Sequence, residues 1–252
     1  MPKRDLVFSK PMMNAAGMLG FAPNFKDSLP WEDFGAFVTN PISLLPRIPS
    51  SSPEYIKYPG GLLLHTGLPS PGFKSVIKKY ASLWTRSRLP VIVHLMADRP
   101  EETIQMVRGL EGLENILAIE LGFAPNLSDD ILILGLEMYL GELPLIVNLP
   151  AEQVSRLGPR LIDAGASALS VGAPRGMLSG RHGSLISGRL YGPSLFPQSL
   201  ELIRSAARIG LPVIASNGLY SRSDCDQMLE AGAIALQLDT VLWSNTALLP
   251  EE

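Results

Sequence analysis

The sequence contains a single cysteine, Cys225, among its 252 residues. One cysteine excludes an intramolecular disulfide framework and is typical of a protein in a reducing cytoplasm. Residues 1–10 contain no apolar segment of the kind found in secretory signals, and this agrees with a cytoplasmic location.

Long apolar runs and excess positive charge are also absent. No stretch of about 18 or more apolar residues runs without a charge or a proline, so the sequence predicts no membrane-spanning helix. The net charge is −3, and no basic patch indicates a nucleic-acid partner. The three histidines, His65, His94 and His182, show none of the spacings of metal-binding motifs, so we expect no metal site.

Short apolar runs, by contrast, recur along the chain, and each ends in a polar or small residue. They are rich in Val, Ile, Leu or Ala and do not alternate cleanly with polar residues. Parallel strands that are buried on both faces have this pattern. The eight runs are residues 12–16, 36–40, 91–95, 117–121, 145–149, 168–172, 213–217 and 234–238.

Helical patterns lie between these runs, most clearly at residues 151–164, 197–209 and 221–231. The last pattern begins at Ser221, and Asp224 follows at the spacing of a capping box. A glycine follows each of the three patterns, where a residue in the left-handed conformation often ends a helix. These glycines are Gly165, Gly210 and Gly232.

Eight strands that alternate with helices predict a parallel sheet with right-handed crossovers, and eight strands suffice to close a barrel. The length of the chain fits one such domain. We therefore predict an α/β fold, a single (β/α)8 TIM barrel over residues 1–252, with its functional site at the C-terminal ends of the strands. The alternative is an open doubly wound sheet, although no glycine-rich dinucleotide fingerprint follows the first strand.

Two long stretches fit neither the strand nor the helix pattern. Residues 41–70 are rich in proline and too long for an ordinary connection, so we predict an irregular loop that forms a wall of the site. Residues 173–193 are predicted to be irregular as well, and they contain a cationic cluster that suits a phosphate or carboxylate ligand. The alternative is a solvated loop with incidental charge. The cluster consists of Arg175, Arg181, His182 and Arg189.

Several segments together match one known pattern in order and spacing. Residues 13–17 read Met-Asn-Ala-Ala-Gly, residues 59–62 read Pro-Gly-Gly-Leu, and residues 67–72 read Gly-Leu-Pro-Ser-Pro-Gly. The other matching segments are residues 34–39, 43–47, 119–121, 144–149, 191–193, 212–218 and 231–240. As an ordered set covering nearly the whole chain, they resemble the dihydroorotate dehydrogenase family.

The resemblance implies a TIM barrel that binds FMN at its mouth and oxidises dihydroorotate to orotate in pyrimidine biosynthesis. In that family a Cys or Ser after the fourth strand removes a proton, hydride passes to the flavin, and lysines at two strand ends hold the flavin. The positions that the resemblance assigns to cofactor binding are Ala16, Gly17, Asn40, Asn148, Gly172, Gly192, Asn217, Gly218, Asp239 and Thr240.

The sequence departs from the family pattern at the residues that carry its chemistry. Ala124 stands at the place of the base, Gly122 at the place of an asparagine, and Asn40 and Asn148 at the places of the two lysines. Asp239 replaces a glycine of the phosphate site. A carboxylate about 4 Å from a phosphate costs on the order of 1 kcal/mol in water and about 4 kcal/mol at an effective dielectric of about 20. These departures predict impaired FMN binding and no oxidation of dihydroorotate.

Three functions are compatible with these residues. The first is a diverged family member that is inactive on dihydroorotate and binds an unknown small molecule, alone, as a homo-oligomer or with a partner protein. The second is an FMN-dependent oxidoreductase with an altered site. The third is a phosphate-binding barrel enzyme of another class.

Each candidate residue also has a structural interpretation. Asn40 and Asn148 would then fill the space of the lysines and hydrogen-bond loop backbone, and Asp239 would cap the final segment. Cys225 would be a packed core thiol, and His94 would line the barrel interior.

Overall fold

The computed structural model describes residues 5–51, 53–124, 127–180 and 183–243. The strands within them are β1 (Met12–Asn14), β2 (Phe37–Val38), β3 (Glu54–Tyr58), β4 (Gly61–His65), β5 (Val91–Ala97), β6 (Ile116–Phe123), β7 (Leu145–Leu149), β8 (Ala168–Val171), β9 (Arg175–Ser179), β10 (Leu185–Tyr191), β11 (Val213–Ser216) and β12 (Ala235–Leu238). The α-helices are α1 (Phe73–Thr85), α2 (Pro100–Leu110), α3 (Asp129–Tyr139), α4 (Ala151–Asp163), α5 (Phe196–Arg208) and α6 (Arg222–Glu230). None of these helices is long and apolar enough to cross a membrane.

Eight of the strands form one parallel sheet in the order β1-β12-β11-β8-β7-β6-β5-β2. The two end strands of this sheet meet at a seam that is joined by the side chain of Asn14. Its Nδ2 donates to the carbonyl oxygen of Val38 at 2.6 Å, and its Oδ1 accepts from the N–H of Val38 at 3.0 Å. The N–H of Gly35 donates to the carbonyl oxygen of Met12 at 2.8 Å and extends the seam. The sheet is therefore closed, and the predicted (β/α)8 barrel is confirmed.

The elements follow the sequence pattern closely around the barrel. Each of the eight predicted runs overlaps one barrel strand, and α4, α5 and α6 begin and end within one residue of the predicted helices. The capping box is confirmed, since the Ser221 hydroxyl accepts from the N–H of Asp224 at 3.0 Å and Asp224 accepts from the N–H of Ser221 at 2.8 Å. The glycine after each of these helices has a positive φ.

A layer of apolar side chains fills the interior of the barrel. Its members come from all eight strands or the residue just before one, and all are fully buried. They are Met13, Ala36, Val38, Ile92, Ala118, Ile146, Ala168, Ile214 and Ala235. Residues two apart in a strand point to the same side. The next interior layer, toward the barrel mouth, is therefore formed by the residues two positions further along.

The prediction that residues 41–70 and 173–193 are irregular was wrong for parts of both stretches. They supply a four-stranded antiparallel sheet in the order β3-β4-β10-β9, which we call the cap sheet. It consists of two hairpins, one inserted between β2 and α1 and the other between β8 and α5. The central pairing joins segments that are far apart in the sequence, with Leu64 opposite Arg189. Local sequence carries no signal for such pairing, and prolines and glycines obscured the strand pattern.

Candidate functional site at the barrel mouth

The second interior layer of the barrel is polar and forms the floor of the mouth. Its members lie two positions beyond the apolar layer on six strands. They are His94, Glu120, Asn148, Ser170, Ser216 and Gln237. Glu120 lies at its centre and is completely buried. Its Oε2 accepts from Nδ1 of His94 at 2.6 Å, and its Oε1 accepts from the Ser170 hydroxyl at 2.6 Å and from Nε2 of Gln237 at 2.7 Å.

Two opposing effects act on the pKa of Glu120. Burial alone would raise this pKa, because it penalises the charged form. The hydrogen bond and positive charge of His94, with the donors Ser170 and Gln237, outweigh burial and hold the pKa of Glu120 below its ordinary value. Glu120 is therefore a carboxylate whose two oxygens accept from β5, β8 and β12, and we assign it a structural role.

His94 fills the space beside the end of β6. A Cβ atom added at Gly122 would lie 2.6 Å from Nε2 of His94, a distance at which the ring would have to move. The imidazole from β5 thus takes the space in which any side chain at position 122 would begin. The asparagine that the family pattern places at this position is excluded while the ring is there.

Asp239 follows β12 and has only 2% of its surface exposed. Its Oδ1 accepts from the Thr240 hydroxyl at 3.2 Å, and the hydroxyl of Tyr220 lies 2.6 Å from Oγ1 of Thr240. Oδ2 of Asp239 has no hydrogen-bond partner among the described residues. Burial raises the pKa of Asp239 to about 6, although hydrogen bonds from Thr240 act in the opposite direction. This carboxyl group therefore changes charge just below neutral pH.

Three cavities lie over the polar floor. The inner one, in contact with Glu120 and Asp239, has a volume of about 20 Å³, which holds roughly one water molecule. The other two have volumes of about 350 Å³ each and share Arg47, Arg175 and Arg189 in their walls. We call these two cavities together the outer basin. Pockets for small ligands are typically about 300–1,000 Å³, so the outer basin has the size of a ligand site and the inner cavity does not.

Several positions predicted to bind a cofactor do meet at the mouth, where the strand ends converge. Gly17 lines the outer basin. Those that line the inner cavity are Ala16, Asn148, Gly172, Asn217 and Asp239.

Asn40 and Asn148, which the sequence pattern places where the family has two lysines, differ in their contacts. Oδ1 of Asn40 accepts from the N–H of Gly20 at 3.0 Å, and Asn40 lines none of the three cavities. Its structural interpretation is therefore the better one. Nδ2 of Asn148 donates to the Ser170 hydroxyl at 2.9 Å, and Asn148 lines both the inner cavity and the outer basin. Asn148 remains a candidate ligand contact.

Gly192, Gly218 and Thr240 lie outside the walls of the three cavities. A Cβ atom at Gly192 would lie 2.3 Å from the carbonyl oxygen of Gly60, and one at Gly218 would lie 2.4 Å from the backbone nitrogen of Phe196. Both glycines permit close contact between backbone segments. Thr240 is buried beside Asp239 and supports it.

Three arginines line the outer basin. Arg175 and Arg189 come from β9 and β10 of the cap sheet, and Arg47 comes from the loop before β3. The sequence grouped Arg181 and His182 with the first two, and both lie outside the described residues. Arg47 was missed as a site residue, because only the folding of its loop brings it to the basin.

His65 on β4 holds one wall of the outer basin in place. Its Nδ1 lies 2.9 Å from the carbonyl oxygen of Ser187, and its Nε2 lies 2.9 Å from the hydroxyl of Ser50. Because a carbonyl oxygen only accepts, Nδ1 carries a proton and donates it to Ser187. The ring thus joins the loop before β3 to β10.

Cys225 is 5% exposed and packs in the hydrophobic core. Burial raises the pKa of this thiol to about 12. The interpretation of Cys225 as a core thiol is confirmed.

Comparisons with known proteins agree with this architecture. A family model described as Dihydroorotate dehydrogenase matches residues 4–130. A protein of Trichlorobacter lovleyi, named Dihydroorotate dehydrogenase B (NAD(+)), catalytic subunit, is 29% identical, with 98% of this chain and 88% of that protein covered. A protein of the same name from Pelobacter propionicus is 30% identical, with 93% and 84% covered. The chain belongs to the dihydroorotate dehydrogenase family.

A solved structure supports the same fold. The crystal structure of DHODH from Eimeria tenella in complex with ferulenol matches with a TM-score of 0.73 and covers 95% of this chain and 78% of that one. The identity is 14%, so this likeness concerns the fold alone. Ala124, which the sequence pattern predicts to stand at the place of the family's base, follows β6 and lines the outer basin.

Proposed function

We propose that this member of the dihydroorotate dehydrogenase family binds a small molecule in the outer basin and does not oxidise dihydroorotate. The observation that supports the proposal is that Ala124 lines the basin, at the position that the sequence pattern assigns to the family's base. A methyl group cannot accept a proton, and loss of a general base typically lowers a rate by about 10²- to 10⁴-fold.

The inner mouth also fits FMN poorly. Its cavity of about 20 Å³ is bounded by Arg189 and Tyr191 of β10, and this volume is far below that of a flavin ring system. No lysine is among the residues that line the three cavities. The carboxyl group of Asp239 stands at the position that the sequence pattern assigns to the phosphate site, and it would oppose an anion there whenever it is ionised. We therefore assign no redox step to this chain.

The second candidate is an FMN-dependent oxidoreductase with an altered site. The names of the relatives favour it, as does the meeting of Asn148, Gly172 and Asn217 at one cavity. Since the pKa of Asp239 is about 6, its repulsion of a phosphate would vanish in mildly acidic solution. Family membership leaves the third candidate, a phosphate-binding enzyme of another class, without support.

A partner protein is part of the proposal. The relatives are named as catalytic subunits, which implies that they act with another subunit. We propose that this chain likewise assembles, either with a second copy or with a different protein. Light scattering on the purified chain distinguishes a homo-oligomer from a monomer that needs a different partner.

The test of the proposed function is an assay of the purified chain with dihydroorotate, FMN and an electron acceptor. Ordinary enzymes turn over roughly 1 to 1,000 times per second, and we expect a rate at least about 100-fold below this range. A turnover within about tenfold of ordinary values would contradict the proposal. The matched variant Ala124→Cys restores a thiol at the place of the base. Strong activity in this variant would show that the flavin binds and that only the base is missing.

A further inference from the structure

Two positively charged side chains lie directly opposite each other in the cap sheet. Arg175 on β9 is the register partner of Arg189 on β10, and Arg189 also lies opposite Leu64 on β4. Residues opposite each other in a sheet share a face. All three line the outer basin. The fold therefore brings both guanidinium groups to one cavity.

The next register pair fixes the position of the two arginines. Gly176 and Gly188 lie opposite each other. A Cβ atom at Gly188 would lie 2.5 Å from Cδ2 of Leu63, and one at Gly176 would lie 2.7 Å from Cδ1 of Leu190. Leu63 of β4 thus packs on Gly188 of β10, and Leu190 of β10 packs on Gly176 of β9. Neither pair of strands can slide without losing one of these contacts.

No salt bridge within the described part of the protein neutralises the positive charge of the pair, although Arg189 also lines the inner cavity together with Glu120 and Asp239. Like charges directly opposite each other destabilise a sheet. Neither Arg175 nor Arg189 forms a salt bridge with a described residue. The aspartate that lines the basin, Asp98, is already paired with Arg47 at 2.8 Å.

The charge of the outer basin is opposite in sign to the net charge of the chain. The chain carries a net charge of −3, whereas the basin is lined by three arginines and one aspartate. A cleft lined by one sign of charge concentrates ions of the opposite sign. The planar fork of arginine matches the two oxygens of a carboxylate or phosphate.

We propose that Arg175 and Arg189 jointly bind one oxyanion group, a carboxylate or a phosphate, of the molecule that occupies the outer basin. The proposal rests on the function proposed above, since it gives the chemical class of the ligand for the same basin. The bound anion neutralises the two positive charges that the pairing of β9 with β10 places side by side. Its place is the outer basin, which Arg175 and Arg189 both line, whereas Asp239 lines only the inner cavity.

The test measures the midpoint of thermal unfolding as inorganic phosphate is added at constant ionic strength, with malonate as a separate carboxylate probe. A ligand that binds only the folded state raises this midpoint according to its affinity. We expect the midpoint of the wild-type chain to rise with at least one of the two probes. The probe that raises it shows whether the site recognises a phosphate or a carboxylate. Arg175→Gln and Arg189→Gln should each weaken the apparent affinity by roughly tenfold or more.

The matched control is Arg108→Gln, because Arg108 lies in the last turn of α2, at the end of the barrel opposite to the mouth. It carries the same change of charge and should keep the wild-type affinity. Absence of a shift with both probes in wild type would overturn the proposal, as would equal shifts in wild type and both basin variants. Turnover of dihydroorotate, in contrast, would overturn the proposed function and leave the anion site in place.

Discussion

Asp239 combines deep burial with a carboxylate oxygen that no described residue pairs. Its pKa is about 6 in the folded chain, against about 3.9 for an ordinary aspartate. The folded state therefore binds the proton more tightly than the unfolded state does. By linkage, the free energy of unfolding falls as pH rises from about 4 to about 6, and it stays lower at higher pH.

Replacing Asp239 with asparagine should remove this loss of stability. We expect Asp239→Asn to have a free energy of unfolding about 3 kcal/mol above that of wild type near pH 8, with the difference shrinking toward zero near pH 4. Urea unfolding of both proteins across this pH range measures it, since other titrating groups cancel in the difference. A difference independent of pH would show that Asp239 is not charged at neutral pH.

Single residues also show how far the site could be predicted. Asn148 and Asn217 were found because each follows an apolar run, and the ends of parallel strands meet at one edge. The sequence indicated a structural role for Glu120 but not its partners, because His94 and Gln237 come from two other strands. Each of these three residues lies two positions after a member of the apolar layer, and this common spacing was the signal in the sequence that they share one layer.

The seam between β1 and β2 is joined by the side chain of Asn14 and by the backbone hydrogen bond from Gly35 to Met12. Asn14→Ala would leave the buried N–H and carbonyl oxygen of Val38 without these partners. At about 1 to 3 kcal/mol for each unsatisfied group, we expect a loss of about 2 to 6 kcal/mol in the free energy of unfolding. Chemical denaturation measures the loss.

Asn40→Ala serves as the control for the seam. It removes one side-chain hydrogen bond, to Gly20, and leaves the seam intact. We expect a loss of about 1 kcal/mol. Equal losses in the two variants would mean that backbone contacts alone close the barrel.

Among the elements, the barrel strands could be predicted and the cap strands could not. A barrel strand is buried on both faces, so its own residues reveal it. A cap strand such as β10 is half exposed, contains Gly188, and becomes a strand by pairing with β4. The residues of β10 therefore do not predict a strand by themselves, because the strand forms only through pairing with β4, which lies in another part of the sequence.

For the molecule as a whole, the expectation is a barrel purified without flavin. The inner cavity of about 20 Å³ and the burial of Asp239 both oppose FMN. We expect an absorption spectrum without the near-ultraviolet and blue bands of a flavin, both as purified and after incubation with FMN and gel filtration. A spectrum with those bands at a stoichiometric level would favour the second candidate function. A spectrum taken in mildly acidic buffer tests whether protonation of Asp239 permits binding.

The two hairpins of the cap sheet leave the barrel at different points of the chain, yet neither is complete alone. A two-stranded hairpin is marginally stable in water, whereas the four strands together share the central pairing of β4 with β10. Deleting either hairpin would therefore unravel the other and uncover the barrel mouth. In shuffled or circularly permuted chains, the two insertions must be inherited together, as one module encoded in two places.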